Sequence, residues 1–290
     1  MAKENLKEMM NRVNLQGTLV NNSVEMKVDK NGKRYISGQL EIMVDKEYIV
    51  PVSAFTYEFK QNGEKNPMFE RLSKVVDLPS ARTAGMSGAA HISVTSARFE
   101  DNSFFSDRDN RVVSNWRIGG SLIRTVAEDA APINSFEVQG VVSSIKEVVD
   151  REGNNTDTYD LKLLNVAYGN RINELTFRFD DPAAIKYIND NYNVGDTVTV
   201  CGQVVYEQHQ RTVEKEYGFG EAAVQTYVNT VRLLRITAGT PPVDPDESGY
   251  QLKELQQLLA AQQEDIVEKH NARAQVTTAN NKNSGLDLLF

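Results

Sequence analysis

The chain has 290 residues, of which 40% are hydrophobic and 25% charged, and its formal net charge is −8 at pH 7. This length suits two domains of ordinary size and an appendage better than a single domain. It contains no run of about 18 apolar residues that could cross a membrane, and its first residues, MAKENLKEMMNR, lack the apolar stretch of a secretory signal. We therefore expect a soluble, cytoplasmic protein without membrane contacts.

Cysteine and histidine are too sparse for a disulfide framework or a zinc module. Cys201 is the only cysteine, and His91, His209 and His270 have no ligand-like spacing. We expect no metal and no other cofactor.

The charge is distributed unevenly along the chain. Residues 1–125 carry 18 Lys and Arg against 15 Asp and Glu, whereas residues 126–240 carry 10 against 17 and residues 241–290 carry 4 against 8. Only the first part is electropositive on balance. Because phosphate binding needs local cations, this part is the better candidate for a nucleic-acid surface.

The first part reads as strand, strand, strand, helix, strand, strand. VNLQGTLV (13–20) alternates apolar and polar residues, Asn31-Gly32 predicts a type I′ hairpin turn, and two further strands follow in 35–44 and 46–55. The segment 66–78 predicts a helix that is capped by Asn66-Pro67 and stopped by Pro79. HISVTSARF (91–99) and NWRIGGSLIR (115–124) predict the last two strands.

The same order then repeats. FEVQGVVSSIKEVVD (136–150) shares a Gln-Gly pair with VNLQGTLV, and the segment 157–179 predicts strands two and three. DPAAIKYINDNY (181–192) predicts a helix in which Asp180-Asp181 is explained by capping rather than by catalysis. The segments 195–206 and 228–236 predict strands four and five.

A β-β-β-α-β-β unit resembles the OB-fold, a small closed barrel. We therefore predict a mainly β protein of two tandem OB-like five-stranded barrels, each with one helix between strands three and four. A two-sheet sandwich with the same strands is the alternative. The predicted domains are 1–125, 126–238 and a C-terminal part, 239–290.

The C-terminal part predicts a Pro- and acid-rich linker (237–249), an amphipathic helix (250–274), a flexible spacer (275–285) and an apolar tip. The helix carries one apolar stripe, formed by Leu252, Leu255, Leu258, Leu259 and Ile266. It could lie across its own barrel or pair with another subunit, so self-association remains open.

The sequence contains no catalytic signature. Walker-type, His-Glu-x-x-His and Gly-x-Ser-x-Gly motifs are absent, so we expect a non-enzymatic binding protein.

The first repeat combines cations with aromatic residues, the two side-chain classes that hold single-stranded nucleic acid. Lys33 and Arg34 precede Tyr35, which falls on the outward face of the second strand. Phe55 follows on the third strand, where the pattern does not decide between the core and the surface. The predicted nucleic-acid-binding residues are Lys33, Arg34, Tyr35, Tyr48, Tyr57, Arg98, Phe104, Phe105, Arg108, Arg111, Trp116 and Arg117. Trp116 shares strand parity with Ile118 and Leu122, which favours a core position over a binding platform.

The second repeat offers a weaker version of this mixture in its hairpin between strands four and five. The residues concerned are Tyr206, Arg211, Lys215, Tyr217 and Phe219. We expect an auxiliary contact with DNA or an assembly role for this barrel.

The chain ends in GLDLLF, where Asp287, Leu288, Leu289 and Phe290 form an acidic and then apolar tip. Over its whole length the chain resembles bacterial and phage single-stranded DNA-binding proteins, which combine OB-folds with a flexible spacer and a C-terminal tip that ends in Phe. Leu289 stands where the family usually has Pro, and tandem barrels suit a phage-type protein. The alternative is that the tip packs on its own barrel.

The resemblance implies that the protein binds single-stranded DNA with little sequence preference and protects it during DNA replication, recombination or repair. It also implies that Asp287 to Phe290 recruit replication or recombination proteins, in the host cytoplasm if the protein is phage-encoded. RNA as the ligand remains open. The alternative function is a virion or adaptor component, a non-enzymatic structural protein built from two small β-barrels.

Overall fold

The computed structural model describes residues 6–46, 48–150, 152–215 and 223–284, without the side chains of 207–215, 223–230 and 274–284. The first unit contains helices α1 (Pro67–Val76) and α2 (Ala81–Ala84). Its strands are β1 (Asn11–Asn22), β2 (Glu25–Val28), β3 (Arg34–Met43), β4 (Ile49–Tyr57), β5 (His91–Asp101), β6 (Phe104–Ser106), β7 (Arg111–Val113), β8 (Trp116–Gly119) and β9 (Ile123–Thr125).

The second unit repeats the order with longer strands. They are β10 (Ile133–Val149), β11 (Asn155–Ala167), β12 (Arg171–Phe179), β13 (Thr197–Lys215) and β14 (Ala223–Gly239). The helices are α3 (Pro182–Asn191), α4 (Pro245–Ser248) and α5 (Leu252–Ser284). No helix in the described ranges is long and apolar enough to cross a membrane.

Each unit closes into a ring of strands. In the first, β1 pairs with both β3 and β5, β3 with β4, and β8 closes the ring between β4 and β5. In the second, β10 pairs with both β11 and β13, β11 with β12, and β14 closes the ring between β12 and β13. The closing strand is parallel to the third strand in both rings. This pairing confirms the mainly β, OB-like prediction and rules out the two-sheet sandwich.

Local sequence signals explain most of these elements. Val13, Leu15 and Leu19 are fully buried along β1, as the alternation predicts. The Asn66 side chain accepts a hydrogen bond from the Met68 amide at the start of α1, and Asp181 caps α3 in the same way. One turn differs from the prediction: Gly32 has φ 78°, but Asn31 does not have positive φ, so the β2–β3 turn is not type I′.

The predicted fifth strand of the first barrel is divided. β8 pairs with β5 and β4, whereas β9 pairs with the beginning of β5. Between them, Gly120 lies so close to Ala97 and Val94 that a Cβ atom would crowd both side chains. The chain therefore bends over the barrel at this point instead of continuing as one strand.

The two barrels are joined by one strand pair and a group of buried amides. β1 pairs antiparallel with β10, from Asn11 opposite Val138 to Gln16 opposite Ile133. Asn11 forms two hydrogen bonds of 2.9 Å with the backbone of Phe99 and one of 3.2 Å with Asn165, which is fully buried. The Asn173 amide nitrogen donates to both the Phe99 carbonyl and the Asn165 side chain.

Helix α5 lies across the second barrel of its own chain. Leu255 is fully buried against Val166 and Ile172, with Leu252, Leu258 and Leu259 packed alongside. Further along the helix, Gln262 bonds both backbone groups of Ile172 and the carboxylate of Asp101 in the first barrel. The helix reaches Ser284, so most of the segment predicted as a flexible spacer is helical.

We expect Leu255→Ala to lower the free energy of unfolding by about 2–5 kcal/mol, because the helix loses its most buried anchor and leaves a cavity. Gln256→Ala, on the exposed side of the same turn, is the matched control and should stay within about 0.5 kcal/mol of the parent. Urea unfolding followed by circular dichroism measures both. Equal stabilities for the two variants would show that α5 does not pack as described.

Candidate functional site

Three aromatic rings form an exposed cluster on the outer face of β3 and β4. Tyr35 pairs across the strands with Tyr57, and Phe55 lies two residues before Tyr57 on the same face. Their ring centroids are 5.2 to 5.8 Å apart. Phe55 is 54% exposed and Tyr57 39% exposed, although each would be far more stable in a core. Such exposed neighbouring aromatics mark a binding surface.

A groove of about 800 Å³ lies on the first barrel, and Phe55 is one of its lining residues. Besides Phe55, Met68, Leu122 and three charged side chains, its lining consists of small residues from β3, β4, β5 and the segment around β8. These residues are Ser37, Gly38, Ser53, Ala54, Ser96, Gly119, Gly120 and Ser121. The groove is therefore open to a flat or chain-like ligand with the aromatic cluster at one end.

Two arginines line the groove, and each is paired with a carboxylate. Arg98 Nη1 lies 3.1 Å from Glu8 Oε2, and Arg117 Nε lies 3.0 Å from Glu100 Oε2. The Glu100 carboxylate lies directly against Gly119, where a Cβ atom would leave it no room. The groove thus contains its own counter-charges, which an anionic ligand would have to replace.

The predicted cations at the start of β3 lie beside the aromatic cluster. Lys33 is exposed in the β2–β3 turn. Arg34 forms an ion pair of 3.2 Å with Glu58, and its guanidinium lies 5.7 Å from the centre of the Phe69 ring. Tyr48, in contrast, packs against the barrel core and is not part of this surface.

The β6–β7 hairpin carries four of the predicted residues, and the structure places it against α5. The Phe105 ring stacks on His270 with a centroid distance of 4.4 Å, and His270 Nε2 lies 3.1 Å from Asp107 Oδ1. Phe105 is therefore held by the chain's own helix. Phe104, Arg108 and Arg111 remain exposed on the hairpin.

Trp116 lies at the junction between the two barrels. Its ring meets Phe99 edge to face at 5.2 Å, which explains its partly buried position. On its other side, the guanidinium of Arg232 lies 5.5 Å from the Trp116 ring and 5.8 Å from the Tyr206 ring. A cavity of about 250 Å³ at this point is lined by residues of both barrels.

The structure thus brings together Tyr35, Tyr57, Arg98 and Arg117, and separates Tyr48 and Phe105 from them. Our site prediction omitted Phe55 because the period-2 pattern of β4 did not decide between the core and the surface. Arg232 was missed because its importance arises only from the junction of two barrels. The tip residues Asp287, Leu288, Leu289 and Phe290 lie outside the described residues, as do Tyr217, Phe219 and the side chains of Arg211 and Lys215.

Within the described ranges, no three His, Cys, Asp or Glu side chains are grouped closely enough to hold a metal ion. The single cysteine, Cys201, is partly buried on β13. Burial and, to a smaller extent, the charge of Glu137 raise the pKa of its thiol, which disfavours the reactive thiolate.

A protein-family model described as YorF matches residues 9–272 of the sequence. The chain belongs to the YorF family. The match covers both barrels and most of α5. No curated protein sequence matches the chain.

The chain is also similar in fold to solved structures of a bacterial protein. The wild-type single-stranded DNA-binding protein from Thermus aquaticus superposes with a TM-score of 0.50 at 15% identity, over 82% of this chain and 95% of that one. A deletion mutant of the same protein gives the same TM-score and identity, with 97% of its chain covered. The similarity extends over both barrels and establishes the fold.

We expect Phe105→Ala to free the β6–β7 hairpin from α5, because the stacked pair with His270 contributes about 0.5–1.5 kcal/mol beyond its buried area. Amide hydrogen exchange should become faster in the hairpin and in the facing turns of α5. Phe104→Ala, its more exposed neighbour, is the control and should leave exchange unchanged. Identical exchange in both variants would contradict the contact.

Proposed function

We propose that this protein binds single-stranded DNA, with little sequence preference, in the groove of its first barrel. It would protect exposed single strands during replication, recombination or repair, without catalysis. In this proposal, bases stack on Tyr35, Phe55 and Tyr57, while the phosphates follow the groove past Arg98 and Arg117.

The exposed aromatic cluster beside the groove is the observation that carries the proposal. Every base has a flat face, so stacking on aromatic rings is tolerant of sequence and contributes about 1–3 kcal/mol per base. A duplex hides those faces, and the cluster would therefore favour single strands. Much of the groove lining is serine, glycine and alanine, which leaves room for any of the bases.

The comparisons support the proposal at the level of fold. The Thermus aquaticus protein, which resembles 82% of the chain in fold, is a single-stranded DNA-binding protein. Since OB-folds also bind other ligands, the assignment to this chain rests on the cluster and the groove, not on the fold.

The ion pairs in the groove fit a binding site that must release its ligand. Phosphates would displace Glu8 from Arg98 and Glu100 from Arg117, and exposed pairs of this kind are each worth only about 0–1 kcal/mol. Displacing the two carboxylates therefore costs little free energy, but this cost lowers the affinity for DNA. DNA could then be handed to other proteins without a large barrier.

We further propose that the tip, residues 287–290, recruits replication or recombination proteins. This part of the proposal rests on the sequence, in which one acid precedes three apolar residues at the end of a long helix. Phe290 would fill an apolar pocket of the partner, and Asp287 would meet cationic residues.

A fluorescence anisotropy titration tests DNA binding, with labelled oligo-dT of about thirty nucleotides at two salt concentrations. Duplex DNA and oligo-U serve as competitors. The proposal expects binding that weakens as salt rises and resists both competitors. If oligo-U displaced the labelled oligo-dT efficiently, the ligand would be RNA. No binding at low salt would end the proposal and favour a structural role for the barrels.

We expect Phe55→Ala to weaken oligo-dT binding roughly 5- to 150-fold, the equivalent of one lost stack of about 1–3 kcal/mol. Tyr187→Ala, which removes a 42% exposed aromatic side chain from the second barrel, should leave the affinity unchanged. Equal effects of the two substitutions would mean that the cluster is not the binding platform.

Glu100→Gln should tighten oligo-dT binding about two- to fivefold, because it removes the carboxylate that competes for Arg117. Glu174→Gln, which breaks an ion pair with Lys162 on the second barrel, makes the same change in net charge and is the control. If both variants bind equally, only the overall charge matters, and the groove ion pair has no specific role.

A further inference from the structure

The surroundings of Arg232 distinguish it from the arginines in the groove. Its guanidinium lies within cation–π distance of two rings, 5.5 Å from the centre of Trp116 and 5.8 Å from the centre of Tyr206. Nη2 donates to Asn115 Oδ1 at 2.7 Å, and Nη1 donates to the Tyr206 hydroxyl at 3.3 Å. Two aromatic rings and two neutral acceptors thus hold the group in one orientation.

Its charge is also free to act on a ligand. Arg98 and Arg117 each contact a carboxylate, whereas among the described residues Arg232 contacts none. A guanidinium has five N–H donors, and these two hydrogen bonds leave Nε and one hydrogen of each terminal nitrogen available. Planar pairs of such donors match the oxygens of a phosphate.

The site is continuous with the groove of the first barrel. The junction cavity of about 250 Å³ is lined by Trp116, Tyr206 and Arg232, and it shares Ser53 and Arg117 with the larger groove. Arg117 therefore stands between the two spaces. A chain-like ligand that passes Arg117 on leaving the groove arrives at Arg232.

We propose that Arg232, held between Trp116 and Tyr206, is a phosphate-binding subsite that extends the DNA path from the first barrel onto the second. This inference rests on the proposed function and adds one phosphate-binding position to the proposed DNA path. A strand long enough to leave the groove would place one phosphodiester on the free edge of the guanidinium. Short oligonucleotides that fill only the groove would not use it.

The rival role for Arg232 is purely structural, because its bond to Asn115 also links the barrels. A structural link would change the melting temperature but not the dependence of binding on strand length and salt. Those two dependences are therefore the measurements that separate the roles.

The experiment compares the full-length protein with Arg232→Gln, using oligo-dT of about six and about thirty nucleotides across a range of salt concentrations. We expect the longer oligonucleotide to bind Arg232→Gln about tenfold more weakly, with the short one unchanged. The slope of log affinity against log salt for the longer strand should fall by about 0.7, which corresponds to one phosphate.

Two further variants control the comparison. Arg232→Lys keeps the charge and should retain the salt slope while it loses part of the affinity, because lysine cannot pair with a phosphate through a planar group. Arg235→Gln removes a cation three residues along β14, on the opposite side of the strand, and should bind both lengths like the parent. Melting temperatures of all variants report on folding.

The outcomes separate the two claims. Unchanged binding of the longer strand by Arg232→Gln, or an equal loss for both lengths, would overturn the subsite on the second barrel and leave the groove proposal standing. A lower melting temperature with unchanged binding would make Arg232 a structural link only. Failure of the parent protein to bind either length would overturn the proposed function and this inference with it.

Discussion

The pairing of β1 with β10 is the constraint on which the rest of the molecule depends. It converts two closed barrels into one continuous sheet, and the side chains of Asn11, Asn165 and Asn173, of which the last two are buried, fix its register through hydrogen bonds to both barrels. A buried amide that lost its partners would cost about 1–3 kcal/mol, so sliding or rotation of the barrels is strongly disfavoured. The barrels therefore present a fixed combined surface.

The fixed arrangement of the barrels determines which residues meet at their junction. Trp116 belongs to the first barrel and Arg232 to the second, and they meet only because the joint holds the barrels side by side. Helix α5 reinforces the joint from another direction, since Gln262 bonds residues of both barrels and His270 holds Phe105 of the β6–β7 hairpin. One chain thus builds a binding surface that neither barrel could form alone.

The electrostatics of this surface follow from local pairing rather than from net charge. The protein is acidic as a whole, and even its groove arginines are neutralised by Glu8 and Glu100. Affinity for an anion would then come from stacking on the aromatic cluster, from exchange of the paired carboxylates and from Arg232. Salt would weaken such binding less steeply than in a site of unpaired cations.

Much of the fold could be predicted from the sequence because its signals are local. Alternation of apolar residues identified β1 and β3, and Asn66 and Asp181 identified helix starts, since each pattern acts within a few residues. The repeat then implied the topology. Division of the fifth strand into β8 and β9 and the extension of α5 to Ser284 were not predicted, because close packing and tertiary contacts decide them.

The site could be predicted only in part. Tyr35 followed from strand parity and Tyr57 from its position just after the third predicted strand, but Phe55 needed the structure to exclude the core. Phe105 was predicted as a nucleic-acid-binding residue, and no sequence pattern shows that His270, 165 residues away along the chain, stacks on its ring. Arg232 could not be predicted from the sequence, since Trp116 and Tyr206, the two rings beside its guanidinium, come from different barrels.

The most direct test of the central claim is photo-cross-linking of the protein to oligo-dT that carries single 5-iodouracil substitutions, with the linked residues identified by mass spectrometry. The account predicts cross-links to Tyr35, Phe55 or Tyr57 at the outer face of β3 and β4. Cross-links confined to the β6–β7 hairpin, or to the second barrel away from the junction, would contradict it.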